Sequence, residues 1–114
     1  MDEDKYLDAM QIILHAGNAK SAALMAIDSA ADGDFEAADA QLKEARDEMH
    51  AAHEVQFNLI RDEANGNSVE VNIILVHAED HLTMAILASD LAERFIDLYK
   101  NGTNYAFVHK CASA

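Results

Sequence analysis

The residues best equipped for chemistry lie in one stretch, Leu75-Val76-His77-Ala78-Glu79-Asp80-His81-Leu82. On a helix, His77 and His81 stand four apart on one face, with Asp80, three from His77, next to them. One turn then carries two imidazoles and a carboxylate. A neutral imidazole keeps a nucleophilic lone pair near pH 7, and histidine forms covalent intermediates. A phosphohistidine asks little of its protein beyond positioning, an escort for phosphate charge and a donor docked in line. In that reading His77 is the acceptor and His81 holds a phosphoryl oxygen. Two histidines at i and i+4 are also a metal-ligand spacing. The order His77-Ala78-Glu79-Asp80-His81 is nearer H-x-x-E-H than H-E-x-x-H, with Asp80 in the glutamate position. A zinc hydrolase would need a further ligand and a cleft, which a small bundle scarcely offers. The plainest reading makes both histidines packed or exposed bystanders.

Asp80 is the anomaly. It interrupts an apolar stripe of Ile73, Val76 or His77, Met84, Leu87, Leu91, Phe95 and Leu98. A lone buried carboxylate costs several kcal/mol unless it is paired, protonated or metal-bound. It has three remedies: a partner on a neighbouring helix, a metal shared with the histidines, or a symmetry axis where its own copies share a cation. A buried polar residue that fixes register is the structural alternative.

Three helices must position this cluster. Asp32-Gly33-Asp34 and Asn65-Gly66-Asn67-Ser68 divide the chain, each with a Gly to end one helix and a polar residue to cap the next. The expected helices span about 4–31, 35–64 and 69–99. In the first, Tyr6, Met10, Ile13, Gly17, Leu24, Ile27 and Ala31 fall near a three-four spacing, and Ala16, Gly17 and Ala23 permit close helix approach. In the second, Ala38, Leu42, Ala45, Met49, Ala52, Gln56, Leu59 and Ala64 repeat likewise. The third carries the stripe around Asp80, its seam, and a second stripe of Ile74, Ala78, Leu82, Ala85, Ile86 and Ala88. Apolar residues on so much of one circumference point to a bundle that also oligomerises. Residues 101–114 show no helical period and are expected to form a flexible tail.

Composition agrees with an all-α chain of one domain over 1–100. The 114 residues are 51% hydrophobic and hold no Pro, no Trp and only four Gly. A net charge of −13 argues against nucleic-acid binding and adhesion to anionic membranes, and suits a partner with a basic face. The lone Cys111 permits no intrachain disulfide, and its default is a free tail thiol. The acidic start Met1-Asp2-Glu3-Asp4 is unlike a signal peptide, and no apolar run spans a bilayer. The expected location is the cytoplasm. Among the other histidines, His50 and His53 lie three apart, His53 shares a face with Gln56, and His15 and His109 look incidental.

The stretch around His77 resembles the active-site motif H-A-Q-D-H-L-M of the lactose/cellobiose class of enzyme IIA proteins. These belong to the bacterial phosphoenolpyruvate-dependent sugar phosphotransferase system. Gly17 with Ser21, Gly33-Asp34-Phe35, Ala52-His53 with Gln56, and Glu63-Ala64 fit the same pattern, so the resemblance covers about residues 6–99.

The resemblance implies a phosphoryl carrier. His77 would accept phosphate from the phosphocarrier HPr and pass it to the cysteine of enzyme IIB, serving uptake of a lactose-, cellobiose- or chitobiose-type sugar. His81, Gln56 and His53 would help hold the phosphoryl oxygens. It also implies a homotrimer with a nine-helix, coiled-coil-like core and Asp80 facing the threefold axis, where three copies bind one Mg²⁺ or another divalent cation. The sequence departs from the motif twice, with Glu79 in place of Gln and Thr83 in place of Met. A carboxylate beside an incoming phosphoryl group is repulsive. The alternatives are therefore a non-catalytic trimeric bundle and, further off, the zinc-dependent hydrolase.

Overall fold

The computed structural model describes residues 3–102, which form three helices: α1 (Glu3–Ala31), α2 (Phe35–Ala64) and α3 (Ile73–Asn101). Both turns close the same way. Asp34 N–H donates to the carbonyl of Ser29 and Gly33 N–H to that of Ala30; Asn67 N–H and Gly66 N–H repeat this on Asp62 and Glu63. This pairing needs a left-handed residue after the helix, supplied by Gly33 at φ 81° and Gly66 at φ 88°. Asp34 then caps α2 by accepting from Ala37 N–H at 3.1 Å.

The third helix begins at Ile73, four residues later than the sequence pattern suggests, and ends at Asn101 rather than at 99. Val69 and Val71 are β-branched and favour extended backbone. Val69 N–H is held by the Glu63 carboxylate at 2.6 Å, and its side chain packs on the core. The cap is Asn72, beyond the Asn65-Gly66-Asn67-Ser68 turn. Its backbone is extended and its side chain accepts from Leu75 N–H at 3.0 Å. Asn72→Ala should cost ~1 kcal/mol of stability, read as a lowered denaturant midpoint with an unchanged slope. Gly102, at φ 64°, closes the helix. Of the expected tail, residues 103–114 lie outside the described residues.

Cross-helix pairs give the directions. Ser29 with Gln41, His15 with Glu48 and Lys5 with Asp62 place α2 antiparallel to α1. Lys100 with Asp39, Arg46 with Glu93 and Gln56 with Glu79 place α3 antiparallel to α2. The fold is an up-down-up, all-α three-helix bundle. Helix α1 packs along both others, which touch each other far less. The molecule is a slab of 50 × 31 × 19 Å.

The core corrects sequence expectations on each helix. On α1 the buried side chains are Ala9, Ile12, Ala16, Ala19, Ala22, Ala23, Ala26 and Ala30, while Tyr6, Met10 and Leu24 are exposed. Alanines let the helices approach closely, so the larger residues are turned outward. On α3 the internal stripe is Ala78, Leu82, Ala85, Ser89, Ala92 and Ile96. The stripe that looked like the seam, from Ile73 through Met84, Leu87, Leu91 and Phe95 to Leu98, faces outward. On α2 the expected stripe holds at Ala38, Ala45, Ala52 and Leu59, but Ala64 is exposed. Among the described residues no helix is long and apolar enough to cross a membrane.

Candidate functional site

The cluster sits in the first turns of α3, just beyond the Asn72 cap. His77 is exposed and His81 half-buried. Their Nε2 atoms are 3.1 Å apart, and the rings meet edge to face with centroids 4.5 Å apart. At that distance one Nε2 donates a proton to the lone pair of the other. The arrangement follows directly from i, i+4 geometry, with Ala78 and Leu82 pinning the opposite side of the same turns into the core. His81 Nδ1 is buried without a hydrogen-bond partner among the described residues. His81 thus works through its outer nitrogen, toward His77.

The remaining expected site residues divide. Gln56, half-buried on α2, donates from its amide to Glu79 Oε2 at 2.6 Å, not to either imidazole. The Glu79 carboxylate is thereby held against α2. This bond was invisible in the sequence because it depends on the relative register of two helices. His53 stands apart, exposed in an open depression on α2 lined also by His50, Glu54, Phe57 and Asn58. Within one chain no hydrogen bond joins His53 to His77 or His81.

Asp80 is exposed and makes no hydrogen bond or ion pair with another described residue. It is therefore not a buried acid within the subunit. It stands in the outward apolar stripe between Val76 and Met84, which are 43% and 45% exposed. Among the described residues no group of three or more His, Cys, Asp or Glu side chains converges on a point. The described residues of one chain therefore assemble neither a zinc hydrolase centre nor a complete cation site. A carboxylate is the right hard donor for Mg²⁺, so the residue fits such an ion only as one contributor among several copies.

These features define a class: a three-helix chain with an imidazole pair, one ring exposed and one half-buried, near the start of a long apolar stripe that faces outward. The family model described as "PTS system, Lactose/Cellobiose specific IIA subunit" matches residues 8–100. The chain is 42% identical over 103 residues to the lichenan-specific phosphotransferase enzyme IIA component of Bacillus subtilis (strain 168), covering 90% of this chain and 94% of that one. It is similar to the crystal structure of the cellobiose-specific enzyme IIA from Bacillus anthracis, with a TM-score of 0.84, 40% identity and coverage of 88% and 92%. It is also similar to the IIA(chitobiose) fold in the solution structures of the IIA(chitobiose)–HPr complex from Escherichia coli, with a TM-score of 0.74, 35% identity and coverage of 87% and 96%. The chain belongs to the lactose/cellobiose-specific IIA family of the sugar phosphotransferase system, and is at family level a phosphotransferase component.

Proposed function

We propose that the chain carries a phosphoryl group on His77, taken from phospho-HPr and passed to the cysteine of its enzyme IIB, for uptake of a lactose-, cellobiose- or chitobiose-type sugar. The observation that carries the reading is the exposed His77 imidazole with His81 Nε2 at 3.1 Å. A proton on His81 Nε2 keeps His77 Nε2 unprotonated: its lone pair accepts the His81 N–H in the resting chain and becomes the nucleophile when that hydrogen bond is released. As the new phosphorus–nitrogen bond forms, the bond to the donor breaks, and the His81 N–H turns from nitrogen to a phosphoryl oxygen. The second transfer reverses this: a phosphorus–sulfur bond forms on IIB and His77 recovers its lone pair. The similarity to an IIA that forms a complex with HPr supports the choice of donor.

Gln56 supports the site indirectly. By engaging Glu79 it offsets part of that carboxylate's charge. Removing the His81 donor should slow transfer by about a hundredfold, the order seen when one donor to a developing charge is lost. His81→Gln, which restores an N–H, should recover part of it in single-turnover transfer from phospho-HPr.

The same reading makes the working unit a homotrimer. Inside the subunit the helices meet through alanines. Outside, Ile73, Met84, Leu87, Leu91, Phe95 and Leu98 form one stripe along α3. Burying each such side chain stabilises by about 1.5–3 kcal/mol, and a patch of that length marks an interface. A Cβ on Gly17 would meet nothing within 4 Å of its own chain, leaving room for a second copy to approach. Packing α3 against its copies brings three Asp80 side chains together, where they would hold one Mg²⁺ or similar ion. That ion supplies charge neutralisation at the interface; the chain's imidazoles do the transfer. The test is the intact mass of the protein after incubation with phosphoenolpyruvate, enzyme I and HPr. One added phosphoryl group per chain is expected, and none would favour the non-catalytic bundle.

A further inference from the structure

We infer that His77 and His81 also form a bidentate site for one divalent transition ion of the zinc class, and that such an ion and the phosphoryl group exclude each other. The observation is the convergence of the two Nε2 atoms at 3.1 Å on an accessible surface. With metal–nitrogen bonds of ~2.0–2.1 Å, an ion bound to nitrogens 3.1 Å apart has an N–metal–N angle of about 100°. That lies between the right angle of square or octahedral coordination and the tetrahedral angle, so the spacing suits zinc, copper(II) or nickel(II) once both Nε2 lone pairs turn from their mutual hydrogen bond toward the ion. The helix spacing pre-forms the chelate, so little ordering entropy opposes binding.

The chemistry separates this site from Asp80. Imidazole nitrogen favours borderline transition ions, whereas a lone carboxylate favours Mg²⁺. Both imidazoles bind the ion through unprotonated Nε2, so the Nε2 proton moves to Nδ1 of its own ring without net proton release; in His81 this puts an N–H on a buried nitrogen with no acceptor among the described residues, which sets the affinity below that of a fully satisfied pair. With no third protein ligand converging among the described residues, water fills the remaining positions and the ion rests at the surface. The consequence, which rests on His77 being the phosphoryl acceptor, is inhibition. The lone pair that would attack phosphorus is then donated to the metal. By linkage, phosphorylation weakens metal binding by the factor that metal weakens phosphorylation.

The experiment is calorimetric titration of the full chain with zinc chloride, with Mg²⁺ in excess to occupy carboxylate sites. One zinc per chain is expected, with affinity falling at least tenfold in His77→Ala, in His81→Ala and in the phosphorylated protein. The surface pair of His50 with Glu54, whose Nε2 and Oε1 are 3.7 Å apart, is the competing site, so His50→Ala should leave that affinity unchanged. Zinc should also stop label entering the chain while HPr in the same mixture stays phosphorylated, and chelator should restore it. Unchanged affinity in His81→Ala, or loss in His50→Ala instead, overturns the proposal. If the chain accepts no phosphoryl group at all, the titrations still decide the chelate, so the two readings fail separately.

Discussion

His77→Ala should reduce phosphoryl incorporation from one group per chain to none, a fall of at least about a thousandfold in transfer from phospho-HPr. The expectation follows from the role of the residue. A covalent carrier without its nucleophile has no weaker route to the same intermediate, because His81 is half-buried with its inner nitrogen sealed. The loss should come without collapse of the fold. His77 is exposed on the side of α3 opposite Ala78 and Leu82, and surface substitutions of this kind usually stay within about ±0.5 kcal/mol. Circular dichroism melts of parent and variant should therefore coincide while gel-shift or mass assays of phosphorylation differ completely. Label persisting in the variant would move the acceptor elsewhere.

The second large effect concerns assembly. Asp80→Leu should convert a chelator-sensitive trimer into a chelator-resistant one, lowering the protein concentration at which it dissociates by at least tenfold. Asp80 is the one charge in a stripe that otherwise runs Ile73, Val76, Met84, Leu87, Leu91, Phe95 and Leu98. Bringing three copies together removes three carboxylates from water and sets like charges side by side, which costs several kcal/mol unless a cation balances them. Leucine removes that cost and extends the apolar stripe. Sedimentation equilibrium with and without chelator reads both halves. A parent trimer indifferent to chelator would refute the cation at Asp80, and a monomer at all concentrations would refute the interface itself.

Most of the framework was legible because local rules dictate it. Gly33 and Gly66 end helices through left-handed residues, and α2 shows its stripe because Leu42, Met49 and Leu59 alternate with alanines on one face. The rule failed on α1, where reading large apolar residues as core placed Met10 and Leu24 inside. Close helix contact selects alanine, and that selection is set by distance rather than hydropathy. On α3 two apolar stripes competed, and periodicity cannot say which is buried within a chain and which between chains. The start of α3 is hidden in the sequence because Val69 and Val71 continue the apolar pattern while Asn72 supplies the cap. The imidazole pair was legible since helical spacing alone brings positions 77 and 81 together. The Gln56–Glu79 bond was not, for it joins two helices. It also alters the meaning of Glu79, a charge that looks hostile to phosphate in the sequence but is occupied by an amide in the fold.

The most direct test is nitrogen-15 NMR of the histidine side chains, recorded before and after phosphorylation by phosphoenolpyruvate, enzyme I and HPr. The account predicts that one imidazole changes outright, His77 at Nε2, that His81 shifts as its N–H moves to a phosphoryl oxygen, and that His15, His50 and His53 stay as they were. A phosphoryl group found on any other histidine, or a His81 signal unmoved when His77 is modified, would contradict it.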